Sequence, residues 1–476
     1  MDNGIRQSEN VPFAEIWPEY KGSDRAMALA TEYVRSQIPI ALRDPGRPRC
    51  HFAPPAQAMI DVWGGMCFNG THRLFYDLNL LPEKRMGGSF MQLESDDLIH
   101  WRQLPVSLMP SAERGELRLN DGCVLIRQDG TPLMYYTSVF LDESLPREHI
   151  PALGSSDMLH WIRLEDKAIT LENHGGPHYQ GGWSDVFFFE AAGRNFMIIS
   201  KCVTLDGKAQ IPVYEAEDAS CLNWKYRGIF FEDNGEVLNF IQIDGKWVLI
   251  YCPYEKPVWH VGSFDPDNCR FTSEKSGILS YGYRRQGDAN TQMARGFYAT
   301  STFYDRDGMP VIIGWLSGFR SPVGWDGCIS FPRTLSIAND GTLCMMPTPA
   351  VAALRDPEKQ IFSGESRLYT GPLFDLEMSF DGEVVINGHH AFLLQIDTQK
   401  VVCNGIRIPF AKPLSKLRLL ADVSVIELFF EDGRLCFSEA VPPMSNDFTV
   451  DITGNGIAGC FYRLHKQSIM KNYLTT

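Results

Sequence analysis

The chain offers no long apolar run, no basic excess and no cysteine pattern. None of its stretches approaches the ~18 consecutive apolar residues that cross a bilayer, and the opening MDNGIRQSENVPFAEIW lacks the charged-then-apolar order of a secretion signal. Lys and Arg total 44 against 58 Asp and Glu, a net charge of −14. That balance removes the basic face a nucleic-acid partner requires. Twelve cysteines are present, yet none forms CxxC or joins histidine at zinc spacing. Cys50, Cys67, Cys123 and Cys202 lie scattered in apolar runs, where a free thiol behaves as a small hydrophobe. The expectation is a cytoplasmic protein with reduced thiols, and with neither a membrane nor a nucleic acid as partner.

What is present is an ordinary globular composition, 44% hydrophobic and 21% charged with 41 glycines, in 476 residues. That length suffices for two or more domains with sizeable cores. Residues 1–47 stand apart as an extension whose segment Ser23 to Ile38 has helical apolar spacing with Ser23 as its N-cap. Residues 48–347 read as short β-rich runs separated by Gly, Asp, Asn and Pro turns. A proline-bracketed connector is expected at 348–359. From 360 to 476, runs such as LFDLEMSF and KLRLLADVSVIELFFEDGRLCF alternate at period two, the mark of an antiparallel sandwich.

The central region repeats. A turn glycine followed by an apolar run recurs at Gly70, Gly130, Gly193, Gly245 and Gly308, spaced by 60, 63, 52 and 63 residues. A second phrase, SDDLIHWRQLP, SSDMLHWIRLE and ASCLNWKYRG, places Trp101, Trp161 and Trp224 60 and 63 residues apart, and FDPDNCRFT looks like its fourth copy. A β-repeat of this length carries about four strands, which is what one propeller blade requires. Five copies predict an all-β, five-bladed propeller followed by the sandwich.

Four copies carry an acid at one phase. Asp61, Asp121 and Glu236 lie nine residues before their glycines, Asp185 lies eight before, and Ala299 holds the place in the fifth copy. Equal phase in a cyclic repeat predicts convergence on one axis. A single acid of this kind often ties a turn to a neighbouring strand. Asp61, Asp185 and Glu236 sit among apolar or small neighbours with no adjacent basic residue, which suits acid–base chemistry on a neutral polar molecule better than a salt-bridge network. Glycoside cleavage needs an ionised carboxylate at the anomeric carbon and a protonated acid at the leaving oxygen. Crowded carboxyls hold one such proton near neutral pH. Trp63, Phe90, Tyr298 and Trp315 are candidate flat surfaces for a sugar.

These residues resemble glycoside hydrolase family 32, the β-fructofuranosidases that include invertases, inulinases, levanases and sucrose-6-phosphate hydrolases. The likeness runs from about residue 48 to the C-terminus through PRCHFAPPAQAMIDVWGG, HRLFYDLN, SDDLIHWRQLPVSLMP, EVLNFIQIDGKWVL, GFYATSTFYDRDGMPVIIGWLSG and CISFPRTLSI. It implies a five-bladed propeller with a β-sandwich, and a retaining hydrolase of a terminal β-fructofuranoside or similar furanoside that uses no metal or organic cofactor. It implies Asp61 as nucleophile, Asp185 as the acid that binds sugar hydroxyls and Glu236 as acid/base. The surrounding motifs differ: W-M-N-D-P-N-G is here AMIDVWG, R-D-P is Ser184-Asp185-Val186, and E-C is Glu236-Val237. Phe90 stands at a family tryptophan, and Asp121 stands where small or hydroxyl residues are usual. The changed pocket points to an unusual furanoside or aglycone. The loop YRRQGDANTQMA from Tyr283 to Ala294 could cover the cavity, with Arg284 and Arg285 meeting an anionic group. A furanosyl transferase and a non-catalytic sugar-binding module are the alternative readings, and homo-oligomerisation through the sandwich is left open.

Overall fold

The computed structural model describes residues 24–81, 86–180, 182–233, 235–286, 293–320, 322–410 and 413–466. The first element is helix α1, Asp24–Ala41, three residues longer at its C-terminal end than its sequence pattern predicts and continuing through Pro39. Ser23, its expected N-cap, lies outside the described residues. Ala26, Ala30 and Val34, spaced one helical turn apart, are buried at 0–2% exposure. The Thr31 hydroxyl accepts the Val106 amide at 3.3 Å, which fixes α1 to the first sheet of the central region.

That region consists of five antiparallel sheets, each built on four strands in chain order. Their first strands are Gln57–Phe68, Glu116–Ile126, Ser184–Ala191, Glu236–Ile243 and Met293–Tyr304. These five strands neighbour one another in succession, and the fifth returns to the first. The repeated glycines all lie in the turn between first and second strands, with φ of 71–81° that only glycine adopts without strain. The second repeated phrase is the turn into the outermost strand. In two copies the indole N–H closes it, from Trp101 to the Leu98 carbonyl at 2.8 Å and from Trp161 to the Met158 carbonyl at 3.1 Å. Trp325–Asp326, from the fifth sheet's chain, pairs in parallel with Gln57–Ala58 and clasps the ring shut.

The fifth sheet ends at Leu343–Pro347, and a short 3-10 turn, Pro349–Leu354, follows. The first sandwich strand, Arg355–Ser363, then begins inside the expected connector, because it finds its partner in Ala458–Leu464. Two six-stranded antiparallel sheets complete the sandwich. The twelve cysteines are all free, ten of them buried. No helix among the described residues is long and apolar enough to cross a membrane.

Candidate active site

Each first strand carries a β-bulge at its inner end. The extra residues are Asp61 between Ile60 and Val62, Asp121 between Asn120 and Gly122, Asp185 between Ser184 and Val186, and Ala299 between Tyr298 and Thr300. In the fourth sheet the irregularity runs from Glu236 to Asn239. Asp61, Asp185, Val237 and Ala299 all take left-handed φ of 40–52°. A bulge bends the strand and re-aims a side chain, so the repeated phase marks the place where each inner strand tips toward the axis. The count from glycine and the bulge part company at one point. The bulge of the fourth sheet carries Val237, whereas Glu236 sits opposite Cys252 as Ile60 sits opposite Asp77.

The inner ends surround a cavity of about 560 Å³ lined by Asp61, Asp121, Asp185 and Glu236. All four in-phase acids therefore converge. Asp77 and Lys201, neither singled out from the sequence, also line it, as do Arg118, Asn120, Arg285, Trp315 and Asp326. Among the described residues no acid group is arranged to hold a metal ion.

Lys201 corrects the expectation of acids without a cation. Its ammonium lies 3.2 Å from Asp185 Oδ2 and 2.9 Å from Glu236 Oε2. Asp185 is further held by the Ser184 hydroxyl at 2.6 Å and by the Ser200 hydroxyl and Val237 amide at 3.2 Å each. Burial alone would raise its pKa, but the Lys201 charge and these hydrogen bonds outweigh burial and hold it below the ordinary carboxylate value. Asp61 and Asp121 behave in the opposite way. Burial pushes both well above the ordinary value, and neighbouring carboxylates add to the push: Glu236 and Asp77 on Asp61, Asp61 and Asp77 on Asp121. Burial also pushes Asp77 up to about 7, against opposing hydrogen bonds from Trp63 and Asp121. Lys201 thus keeps Asp185 charged, while burial and crowding favour the protonated forms of Asp61, Asp77 and Asp121.

The aromatic candidates divide. Trp315 lines the cavity, and its buried indole N–H has no partner among the described residues. Trp63 and Phe90, by contrast, are core. They pack 4.5 Å apart at 2% and 0% exposure, and the Trp63 indole N–H supports Asp77 Oδ1 at 2.9 Å. Tyr298 is also buried. It stacks on Tyr283 at 4.0 Å, its hydroxyl accepts the Tyr254 amide at 2.9 Å, and it stands beside Glu236. Trp63 and Phe90 belong to the apolar cluster packed between the first two sheets, with Phe75, Val124 and Tyr136. Arg285 reaches the cavity over the Tyr254 ring at 4.6 Å, whereas Arg284 turns to Glu439 of the sandwich. The rest of that loop, 287–292, lies outside the described residues.

Residues 51–347 match the glycosyl hydrolases family 32 N-terminal domain. A sucrose-6-phosphate hydrolase of Escherichia coli is 26% identical over 459 residues, covering 86% of this chain and 92% of its own. That of Vibrio alginolyticus is 24% identical over 425 residues, covering 82% and 85%. Among solved structures, the sucrose-6-phosphate hydrolase of Lactobacillus gasseri superposes with a TM-score of 0.78 at 19% identity, over 91% of this chain and 96% of that one. The Bombyx mori β-fructofuranosidase gives 0.75 at 20% identity, over 95% and 100%. With the propeller-and-sandwich architecture and the family domain spanning all five sheets, the chain is a glycoside hydrolase and belongs to glycosyl hydrolase family 32.

Proposed function

We propose that the protein hydrolyses a terminal β-fructofuranoside, or a furanoside of similar stereochemistry, by double displacement. The observation that carries this reading is the convergence of Asp61, Asp185 and Glu236 from three separate inner strands on one cavity. In the first step Asp61 attacks the anomeric carbon while Glu236 gives its proton to the leaving oxygen. In the second, Glu236 takes a proton from water, the water attacks the same carbon, and the Asp61 ester bond breaks. Asp185, held as an anion by Lys201, accepts hydrogen bonds from ring hydroxyls throughout. The names of the relatives, sucrose-6-phosphate hydrolase and β-fructofuranosidase, support a fructosyl unit on the reacting side.

The reading is tested by product analysis of the protein and its Asp61→Asn variant on fructosides, arabinofuranosides and their phosphorylated forms. Turnover of at least one fructoside by the parent, lost on the order of 10⁴-fold in the variant, is expected when a nucleophile is removed. A variant with unchanged turnover would remove Asp61 from the mechanism. A parent inert on every furanoside would favour a sugar-binding role.

A further inference from the structure

We propose that Lys201 is the positioning residue of this site: its ammonium bridges Glu236 and Asp185, fixes their separation, and supplies positive charge to a cavity lined by six carboxyls. The inference rests on the assignment of Glu236 and Asp185 given above.

Three independent features place the residue. Its side chain is 14% exposed and makes both ion pairs at 2.9 and 3.2 Å. Burying an ammonium is unfavourable unless it is paired, and this one has two partners from different sheets. Its backbone is left-handed, φ +56°, at the break between strands Arg194–Ser200 and Cys202–Thr204. A lysine in that conformation is strained and persists only where its surroundings hold it. The Lys201 amide supplies that hold by donating to the Gly235 carbonyl at 3.0 Å, next to Glu236. The backbone of Lys201 is therefore fastened to the strand that carries one acid, while the preceding Ser200 pairs with Ser184 beside the other.

The register shows that this charge is particular to one copy. Aligning the five bulges puts Leu78, Ser138, Lys201, Pro253 and Leu316 at equivalent places. Only the third copy carries a charge there, directly beside the strand on which the resembling family's motif has arginine and this chain has Ser184. The cation paired with Asp185 and Glu236 comes from the residue that follows the second strand instead of from the first strand.

The titratable and charged groups around the ammonium are Asp185, Glu236, Tyr254 and Arg147, with Asp61 and Asp121 within its field. Arg285 lies over the same Tyr254 ring as Lys201 does. Removing the lysine leaves the carboxyls facing one another, so each binds protons more tightly. Both limbs of a bell-shaped rate profile then move to higher pH.

The test compares Lys201→Met and Lys201→Arg with the parent on the best fructoside, reading kcat and kcat/KM against pH. Lys201→Met is expected to lose on the order of 100-fold in kcat/KM, with the bell displaced upward by about one pH unit. Lys201→Arg, which keeps the charge, is expected to keep the profile in place and most of the rate. Aminoethylation of Lys201→Cys, which rebuilds a lysine-like ammonium, is expected to return the parent profile. An unshifted bell in Lys201→Met would overturn the proposal whatever its rate, since a purely structural lysine lowers activity without moving the limbs. If Lys201→Met does not fold, Lys201→Gln is read by the same criterion. An inactive Asp61→Asn together with an unshifted Lys201→Met would leave the hydrolase reading standing and remove this one.

Discussion

At the scale of single residues, the site is a cluster of carboxyls whose protonation differs with their neighbours. Asp185 faces an ammonium and three hydrogen-bond donors, while Asp61 faces carboxylates. In the proposed mechanism, attack by Asp61 requires its anion. Because burial and neighbouring charge raise its pKa, that anion is lost at a higher pH than for an ordinary carboxylate. The acid limb of kcat/KM is therefore expected well above pH 4, and a limb at or below pH 4 would contradict the charge arrangement. Asp121 gives a stability prediction of the opposite kind. A buried carboxyl with a raised pKa burdens the fold at high pH, where it must ionise, and ceases to do so as pH falls through its folded value. Asp121→Asn is expected to raise the melting temperature at pH 8, with a smaller gain at pH 5, checked by thermal unfolding at the two pH values. Lys201 was not legible from the sequence. It lies 16 residues after Asp185 and 35 before Glu236, and only strand register and a left-handed turn bring the three together. Its signal was a basic residue directly after one copy of the repeated apolar run.

At the scale of elements, the phase that drew attention in the sequence is a β-bulge. Glycine turns were readable because φ near 80° demands glycine, and the acids were readable because they ride on the same repeat. The bulge itself has no residue signature, so the count assigned Glu236 to a place that Val237 occupies. Trp63 and Phe90 were misread for a related reason. Strand periodicity does not tell the cavity side from the sheet-to-sheet side, and both rings went to the latter. The turn glycines allow a clean test. Gly245 has φ +78° and nothing within 4 Å of the place a Cβ would occupy. Gly245→Ala is therefore expected to cost about 1–2 kcal/mol through backbone conformation alone, measured by urea unfolding, with kcat unchanged. A neutral effect on stability would show that the turn relaxes.

At the scale of the whole molecule, the five-sheet ring and the sandwich were both legible, since each is written as period-two runs between turns. Their junction was not, because it rests on buried charges distant in sequence. Asp422 of the sandwich accepts the backbone amides of Arg49, Cys50 and His51 at 2.7–2.8 Å and the His51 Nδ1 at 2.9 Å. Glu427 takes His51 Nε2 at 3.2 Å and Arg333 Nη2 of the ring at 3.1 Å. Burial opposes a charge on His51, but the two carboxylates prevail and push its pKa up to about 9. A group raised in this way adds stability that is complete below its unfolded value near 6.5 and is lost as pH climbs through about 9. The melting temperature should fall across that window. It should fall less in Glu427→Gln, which is itself expected to be about 3–5 kcal/mol less stable for leaving buried cations underpaired. Ring and sandwich are thus joined by buried ionic contacts.

In the proposed mechanism a carboxylate oxygen of Asp61 bonds to the anomeric carbon of the sugar. The direct measurement is peptide mapping by mass spectrometry of Glu236→Gln, quenched during turnover of a fructoside with an activated leaving group. A hexosyl adduct on the peptide containing Asp61, absent from Glu236→Gln/Asp61→Asn, is the predicted result. An adduct on Asp121 or Asp185, or inversion at the anomeric carbon with no adduct anywhere, would contradict it.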